Sequence, residues 1–272
     1  MTGPIGIFDS GYGGLTVFRS IAAELPQYDY LYLGDNARAP YGNRSFETVY
    51  EYTLQCVKWF FSKGCPLVIL ACNTASAKAL RTIQQIDLPK IDPAKRVLGV
   101  IRPSAEVIGQ YTHTRHVGVL GTVGTINSGS YEIEIHHFFP DLQVHSLPCP
   151  MWVPLIENGD YNSEIADEYV KKYLDELLSP APLIDTILLA CTHYPLLMKK
   201  IRNHLPSNIQ VISQGEIVAR SLKDYLHRHP EIETNVSKNR NMHFYTTDDP
   251  EDFNNHATLF FGQQVKSEHL HL

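Results

Sequence analysis

Cys72 and Cys191 occupy the same place in two similar stretches of the chain. Residues 67–76 read Leu-Val-Ile-Leu-Ala-Cys-Asn-Thr-Ala-Ser, and residues 187–196 read Ile-Leu-Leu-Ala-Cys-Thr-His-Tyr-Pro-Leu. Each is an apolar run with the length of a buried strand, closed by Ala-Cys and followed by a polar residue and a helix-compatible segment. In open α/β sheets ligands sit just beyond the carboxyl ends of the strands, where both thiols fall. A thiol at a helix N-terminus is expected to titrate below its free value of about 8.5, which tunes it toward proton exchange near neutral pH. Two thiols facing one bound carbon suit a particular reaction. One, as thiolate, takes a proton from a stereocentre; the other, as thiol, returns a proton to the opposite face. The carbanion formed beside a carboxylate then needs preorganised N–H donors. Two other readings stay open on the repeat alone. Cys191 could be a lone acyl-transfer nucleophile with His193 as its base, which leaves Cys72 unexplained. Both cysteines could also be buried strand-end residues, since Cys is among the most buried types.

The segments that must position these thiols alternate strand and helix. Residues 4–8 predict a first strand, then the turn Asp9-Ser10-Gly11-Tyr12-Gly13-Gly14, then a helix with Phe18, Ile21, Ala22 and Leu25 at i, i+3, i+4 and i+7. The turn could cradle an anion with its N–H groups. It lacks the full Gly-x-Gly-x-x-Gly and a Walker lysine, so a tight structural turn is the competing reading. Tyr30–Leu33 predicts a second strand, running into the polar loop 34–42, and residues 46–63 a helix stopped by Gly64. The Cys72 strand, a helix over 74–86 and a strand over 96–101 follow, with Pro103 breaking the pattern. The unit restarts at His116–Leu120 with the tip Gly121-Thr122-Val123-Gly124-Thr125. A helix through Tyr131 and Ile135, a strand ending near Cys149, a helix over 163–178 and the Cys191 strand complete it. Sixty-three residues separate Asp9 from Cys72 and seventy separate Gly121 from Cys191, so the chain reads as duplicated βα units. The fold class predicted is α/β: two similar parallel-sheet domains related by a pseudo-two-fold axis, with the site in the cleft between them. Residues 209–212, a helix over 216–226 and residues 244–247 are expected to pack back on the first domain, with a loop over 230–240.

A chain of 272 residues allows one large or two medium domains. Its hydrophobic fraction of 43% and charged fraction of 19% are those of an ordinary globular protein. A net charge of −6 argues against a sequence-independent grip on nucleic acid. It leaves room for an anionic small ligand held by backbone dipoles. No apolar run approaches the ~18 residues of a membrane span, and the chain starts directly into a strand without a signal-like core. A cytoplasmic protein with neither membrane nor nucleic-acid partners is expected. The five cysteines are dispersed, without Cys-x-x-Cys, and are expected as free thiols. None of the thirteen histidines forms His-Glu-x-x-His, so no metal is expected. His136, His137, His269 and His271 read as surface residues, and Arg38, Cys56, Cys65 and Cys149 as structural ones.

Four motifs in order resemble the glutamate racemase family. They are Phe-Asp-Ser-Gly-Tyr-Gly-Gly-Leu-Thr-Val from Phe8, Gly-Asp-Asn-Ala-Arg-Ala-Pro-Tyr-Gly from Gly34, Ala-Cys-Asn-Thr-Ala-Ser from Ala71 and Ala-Cys-Thr-His-Tyr-Pro-Leu from Ala190. The similarity runs over nearly the whole chain, including Gly121 to Tyr131, Pro154-Leu155-Ile156-Glu157 and Phe244-Tyr245-Thr246-Thr247. Aspartate racemases are similar in fold and cysteine pair but lack the first two blocks in this form. The resemblance implies a cofactor-independent, homodimeric racemase that interconverts L- and D-glutamate, the latter destined for bacterial peptidoglycan. It implies that Cys72 takes the α-proton from D-glutamate and Cys191 from L-glutamate. Asp9 would assist on the Cys72 side, Glu157 and His193 on the Cys191 side. Ser10, Asn73, Thr74, Thr122 and Thr192 would hold the amino and carboxylate groups, and Tyr41 and Gly42 would line the glutamate site. The domains implied are 1–98 plus 209–272, and 99–208.

Each of these residues also has a plainer reading. His193 could pack at a helix start, Glu157 be a solvated loop carboxylate, Asp9 a turn residue and Tyr41 a packing residue with a satisfied hydroxyl. Two departures stand out. Many members carry Asp-Ser before a glycine where this chain has Ser213-Gln214-Gly215, which reads as a local structural or interface change. The chain also lacks the N-terminal extension of members activated by a peptidoglycan precursor, so that regulation is not expected. Outside the family, a non-catalytic binder of acidic amino acids and a thiol hydrolase are the alternatives. The first is opposed by the missing signal peptide, the second by the second cysteine.

Overall fold

Strands buried on both faces are what a parallel sheet needs, and short Val/Ile/Leu-rich runs supply them repeatedly. The computed structural model describes residues 2–272. In chain order its strands are β1 (Ile5–Asp9), β2 (Tyr30–Gly34), β3 (Leu67–Leu70), β4 (Arg96–Gly99), β5 (His116–Gly121), β6 (Gln143–Pro148), β7 (Thr186–Ala190), β8 (Gln210–Ile212), β9 (Met242–Thr246) and β10 (Ser267–His269). They form a six-stranded sheet, β10-β9-β2-β1-β3-β4, and a four-stranded sheet, β6-β5-β7-β8. Every paired neighbour runs parallel. The order β2-β1-β3-β4 matches β6-β5-β7-β8 strand for strand, so the duplication inferred from the Ala-Cys stretches is built into the topology. Cys72 follows β3 and Cys191 follows β7; Asp9 ends β1 and Thr122 follows β5. Strands β9 and β10 extend the first sheet alone.

Helices cover the sheets, and local side chains set where they start. Ser45 accepts the Thr48 N–H ahead of the helix Phe46–Ser62, and Ser163 accepts the Ala166 N–H ahead of Glu164–Leu178. Each such cap contributes about 1 kcal/mol. The first of these helices buries Val49, Val57 and Phe60 with Phe8, Leu33 and Leu70 of the six-stranded sheet; the second buries Val170, Leu174 and Leu177 against the other sheet. Gly64, at φ +84°, ends the first in the left-handed conformation that glycine adopts freely. No helix among the described residues is long and apolar enough to cross a membrane.

Several expectations are corrected. The strand at 209–212 pairs with β7, from Thr186–Gln210 to Leu188–Ile212, and so closes the second sheet instead of returning to the first. It is the counterpart of β4, the edge strand beyond the cysteine-bearing one. The chain rejoins the first half with the helix Gly215–Arg228, which packs on Leu15–Glu24, and then with β9. Pro103 does not interrupt the chain's structure: it lies in the first turn of the helix Ile101–Val107, where a missing N–H leaves no helical bond unmade. The helix over 74–86 is divided into Asn73–Lys78, Leu80–Thr82 and a π-helical stretch Ile83–Asp87. The region 230–240 opens with the short helix Pro230–Glu233. The helix Pro250–Phe261 and strand β10 add to the elements that the sequence predicts.

The strand that delivers Cys191 is anchored at its start. Burial alone would raise the Asp185 carboxyl, but the Thr112 hydroxyl and the backbone N–H groups of Thr114 and His113 hold it at about 2. The two N–H contacts are 2.9 Å from Thr114 and 2.7 Å from His113. Because the folded value lies below the ordinary 3.8, this stabilisation is complete above that pH and fades as the pH falls toward about 2. Asp185→Ala is expected to cost about 2 kcal/mol in urea unfolding at pH 7. The gap from the unsubstituted protein should narrow on acidification; a gap independent of pH would contradict this role.

Candidate active site

Both cysteines line one cleft at the carboxyl ends of the two sheets. It holds about 630 Å³ of empty space counted out to its open mouth, solvent included. Ser10, Tyr41, Gly42, Cys72, Asn73 and Thr74 line it from the first half; Thr122, Glu157, Cys191, Thr192 and His193 line it from the second. Asp9 is the one residue singled out from the sequence that stands behind the wall.

Strand β3 and the helix after it place Cys72. Its side chain is the N-cap of Asn73–Lys78, with Sγ accepting the Ala75 N–H at 3.4 Å and lying 3.4 Å from Ser10 Oγ. The thiol is not lowered as a helix terminus alone would have it. Burial and then the nearby Asp9 carboxyl push it up to about 12, which the Ser10 and Ala75 hydrogen bonds offset only in part. Desolvating the sulfur outweighs the partial charge of a short helix. Asp9 accepts the Gly11 N–H on Oδ2 at 2.9 Å, and its Oδ1 has no hydrogen-bond partner among the described residues. Burial raises this carboxyl to about 6, against the opposing pull of His193 and the Gly14 and Gly11 N–H groups. It is therefore mostly ionised at neutral pH.

The Cys191 pole is built differently. Strand β7 leads into the 3₁₀ turn Tyr194–Leu197 in place of an α-helix. The Cys191 sulfur faces His193 Nδ1 at 3.9 Å, and His193 Nε2 meets Glu157 Oε1 at 3.0 Å. Burial disfavours charge on this imidazole, but its hydrogen bonds to Cys191 and Glu157 prevail and raise it to about 10. At neutral pH the ring is an imidazolium. Glu157 ends the short helix Trp152–Glu157, so it is held in place and is no free loop carboxylate. Phe260, from the unanticipated helix, packs edge-on to the His193 ring at 5.3 Å.

The glycine-bearing turn lets the halves approach. Thr16 Oγ1 donates to Thr192 O at 2.9 Å. A Cβ on Gly13 would lie 2.3 Å from Thr192 Oγ1 and 2.4 Å from His193 Nδ1. Close approach, with the Gly11 N–H turned to Asp9, replaces the anion cradle that the turn could have been. Further along, Thr74 Oγ1 lies 2.9 Å from Thr122 Oγ1, and the Gly124 N–H donates to Gly42 O at 2.8 Å. Thr122 caps the helix Val123–Asn127 by accepting the Thr125 N–H. Hydroxyls from both halves therefore converge on one wall.

Two lining residues also bond to partners outside the cleft. The Tyr41 hydroxyl bonds the buried Asp35 carboxylate, which Arg38 Nε also reaches at 2.7 Å and Thr247 Oγ1 at 2.8 Å. Tyr41 thus gives the cleft its ring, the plainer of its two readings, and Arg38 holds the group that holds Tyr41. The Asn73 amide bonds Gln214 and Tyr131. Cys149 and Val153 also line the cleft, though no polar motif marks them; burial keeps the Cys149 thiol well above its ordinary range. The arrangement brings to one hydroxyl-lined slot two sulfurs that could act as acid–base groups, one with a carboxylate behind it and one beside an imidazolium.

Comparison with known proteins accords with this geometry. The chain matches the family described as Asp/Glu/Hydantoin racemase over residues 5–222. A glutamate racemase of Persephonella marina is 40% identical over 269 residues, 98% of this chain and 97% of that protein. The crystal structure of a glutamate racemase isoform from Bacillus anthracis superposes with a TM-score of 0.90 at 34% identity, covering 99% of this chain and 98% of that one. That of the Francisella tularensis glutamate racemase in complex with D-glutamate gives 0.88 at 32% identity, again covering 99% and 98%.

Proposed function

The chain belongs to the Asp/Glu/Hydantoin racemase family, and from that membership we propose that it interconverts L- and D-glutamate, with Cys72 and Cys191 as the two acid–base groups. The observation that carries this reading is that the thiols end equivalent strands of a duplicated unit and line a single cleft. Cys72, a thiol at neutral pH, is ready to protonate a carbanion. To act as the base it must first release its proton, and the Asp9 carboxylate behind it is the acceptor. The α-ammonium of a bound amino acid further favours the thiolate by its charge. On the other wall the His193 imidazolium stabilises negative charge developing on the Cys191 sulfur, and Glu157 orients the ring. The Thr74, Thr122 and Thr192 hydroxyls, Ser10 and Asn73 meet the carboxylate and ammonium, and charge that spreads into the carboxylate during proton loss strengthens those bonds. Assigning Cys72 to D-glutamate and Cys191 to L-glutamate rests on the family resemblance. The same reading takes 1–98 with the chain beyond β8 as one lobe and the stretch between as the other, in a cytoplasmic homodimer that supplies D-glutamate for peptidoglycan.

Purified protein should bring the optical rotation of L-glutamate to zero without added pyridoxal phosphate, and act far more slowly on L-aspartate. Rotation that persists in the presence of folded protein would contradict the proposal and return the question to the binder or the thiol hydrolase. Gly13 supplies a second test at the contact between the lobes. Gly13→Ala forces His193 and Thr192 away from the turn, and a displacement of ~1 Å at such a site costs about 10²-fold in rate. Since a racemisation has an equilibrium constant of one, kcat/KM must fall equally in both directions. A variant within about three-fold of the parent would contradict the close packing on which this depends.

A further inference from the structure

Gln214 stands one layer behind the cleft, in the segment where the chain departs from the family pattern. The chain crosses between its halves twice, through Val100 after β4 and through Ser213–Gln214 after β8. Gln214 joins the two crossings, its Nε2 lying 3.1 Å from Val100 O and 2.9 Å from Ser104 Oγ. The same buried side chain sits between Asn73 of one half and Tyr131 of the other. Donor and acceptor chemistry fixes how the amides face. The Tyr131 hydroxyl donates to Asn73 Oδ1 at 2.6 Å, so its oxygen accepts from Gln214 Nε2, also 2.6 Å away. That turns Gln214 Oε1 to Asn73 Nδ2, which donates to it at 2.7 Å. Each of the three groups donates to the next around a closed ring, and all three residues are at least nine-tenths buried. Rotating the Asn73 amide by half a turn would set its oxygen against Gln214 Oε1, a buried pair of acceptors that the ring excludes. One Asn73 amide hydrogen is left over, on a residue that lines the cleft.

We propose that Gln214 is a positioning residue: through its ring with Asn73 and Tyr131 it holds Asn73 with a donor, not an acceptor, available to the α-carboxylate of the substrate. The inference rests on the racemase reading above. Charge on that carboxylate grows as Cα loses its proton, so a fixed donor acts most strongly in the transition state. Gln214→Leu keeps similar bulk but removes the amide, and Asn73 becomes free to turn. Its kcat/KM for glutamate is expected to fall about ten-fold. In an Asn73→Ala background the same substitution should change kcat/KM by less than about two-fold, because the residue acts only through Asn73. Tyr131→Phe opens the ring at a different point and should repeat the pattern; it decides the matter if Gln214→Leu fails to fold. Two results overturn the proposal. One is kcat/KM within about two-fold of the parent in the folded variant. The other is an equal fractional loss with and without Asn73, which is what a purely structural role produces. Inactivity of the unsubstituted protein in the same assay would instead overturn the racemase reading itself.

Discussion

Cys72→Ser and Cys191→Ser are each expected to lower kcat/KM by about 10³-fold or more, equally in both directions, while the folded content and melting temperature stay close to those of the parent. Every turnover uses both sulfurs, one to take a proton and one to give it, so neither substitution leaves a direction intact. Serine nearly preserves the volume, and each cysteine lies at a strand end facing the cleft, so packing changes little. An alcohol is a far weaker acid than a thiol, and burial, which already pushes the Cys72 thiol up to about 12, would penalise an alkoxide at that position still more. A nucleophile mechanism makes a different prediction: only one of the two substitutions would matter. Steady-state rates from both enantiomers, with circular dichroism of each variant, separate the cases.

Asp9→Asn is expected to lower kcat/KM by about 10²-fold and to abolish its acid limb. Asp9 titrates at about 6. Below that pH it is neutral and cannot accept the Cys72 proton, so kcat/KM of the parent should fall about ten-fold for each further pH unit. Asparagine cannot accept that proton at any pH, and the variant's profile should be flat through this region. Stability should move the other way. The folded value lies above the ordinary 3.8, so this group favours folding at low pH and loses that contribution as the pH rises through about 6. A neutral amide at the same buried place should therefore make the protein more stable at pH 7, with the gain vanishing toward pH 3. An unchanged acid limb in Asp9→Asn would remove Asp9 from the proton path.

Much of this architecture is legible in the sequence because the informative residues are apolar and local. The runs at β1, β3, β5 and β7 announce buried parallel strands, and the repeated Ala-Cys places two thiols at equivalent strand ends. What escaped depends on contacts between distant segments. Strand β8 has three residues, and only its pairing with Thr186–Leu188 reveals which sheet it joins. Strand β10 exposes Glu268 and His269 and so carries no apolar signal. In the helix Pro250–Phe261 the polar run Asn254-Asn255-His256 hides a buried face of Phe253, Ala257, Phe260 and Phe261. A helix terminus alone predicts an acidic Cys72, yet burial and Asp9, which no local rule brings together, move the thiol in the opposite direction. Tyr41 and Asn73 are expected to line or hold the ligand, but the partners that orient them, Asp35 for the one and Tyr131 and Gln214 for the other, emerge only from the fold.

The most direct test of two sulfurs working on opposite faces of one carbon is the isotopic content of both enantiomers early in turnover. L-Glutamate would be incubated in D₂O and each enantiomer analysed before about a tenth has converted. A thiol carries a single proton, so the hydrogen taken by one sulfur returns with the remaining substrate or is lost, while the product receives deuterium from the other sulfur. The expected result is D-glutamate carrying deuterium at Cα and recovered L-glutamate that still carries protium. Protium carried over into the product, or deuterium appearing equally in both, would mean that one group serves both faces and would contradict the account.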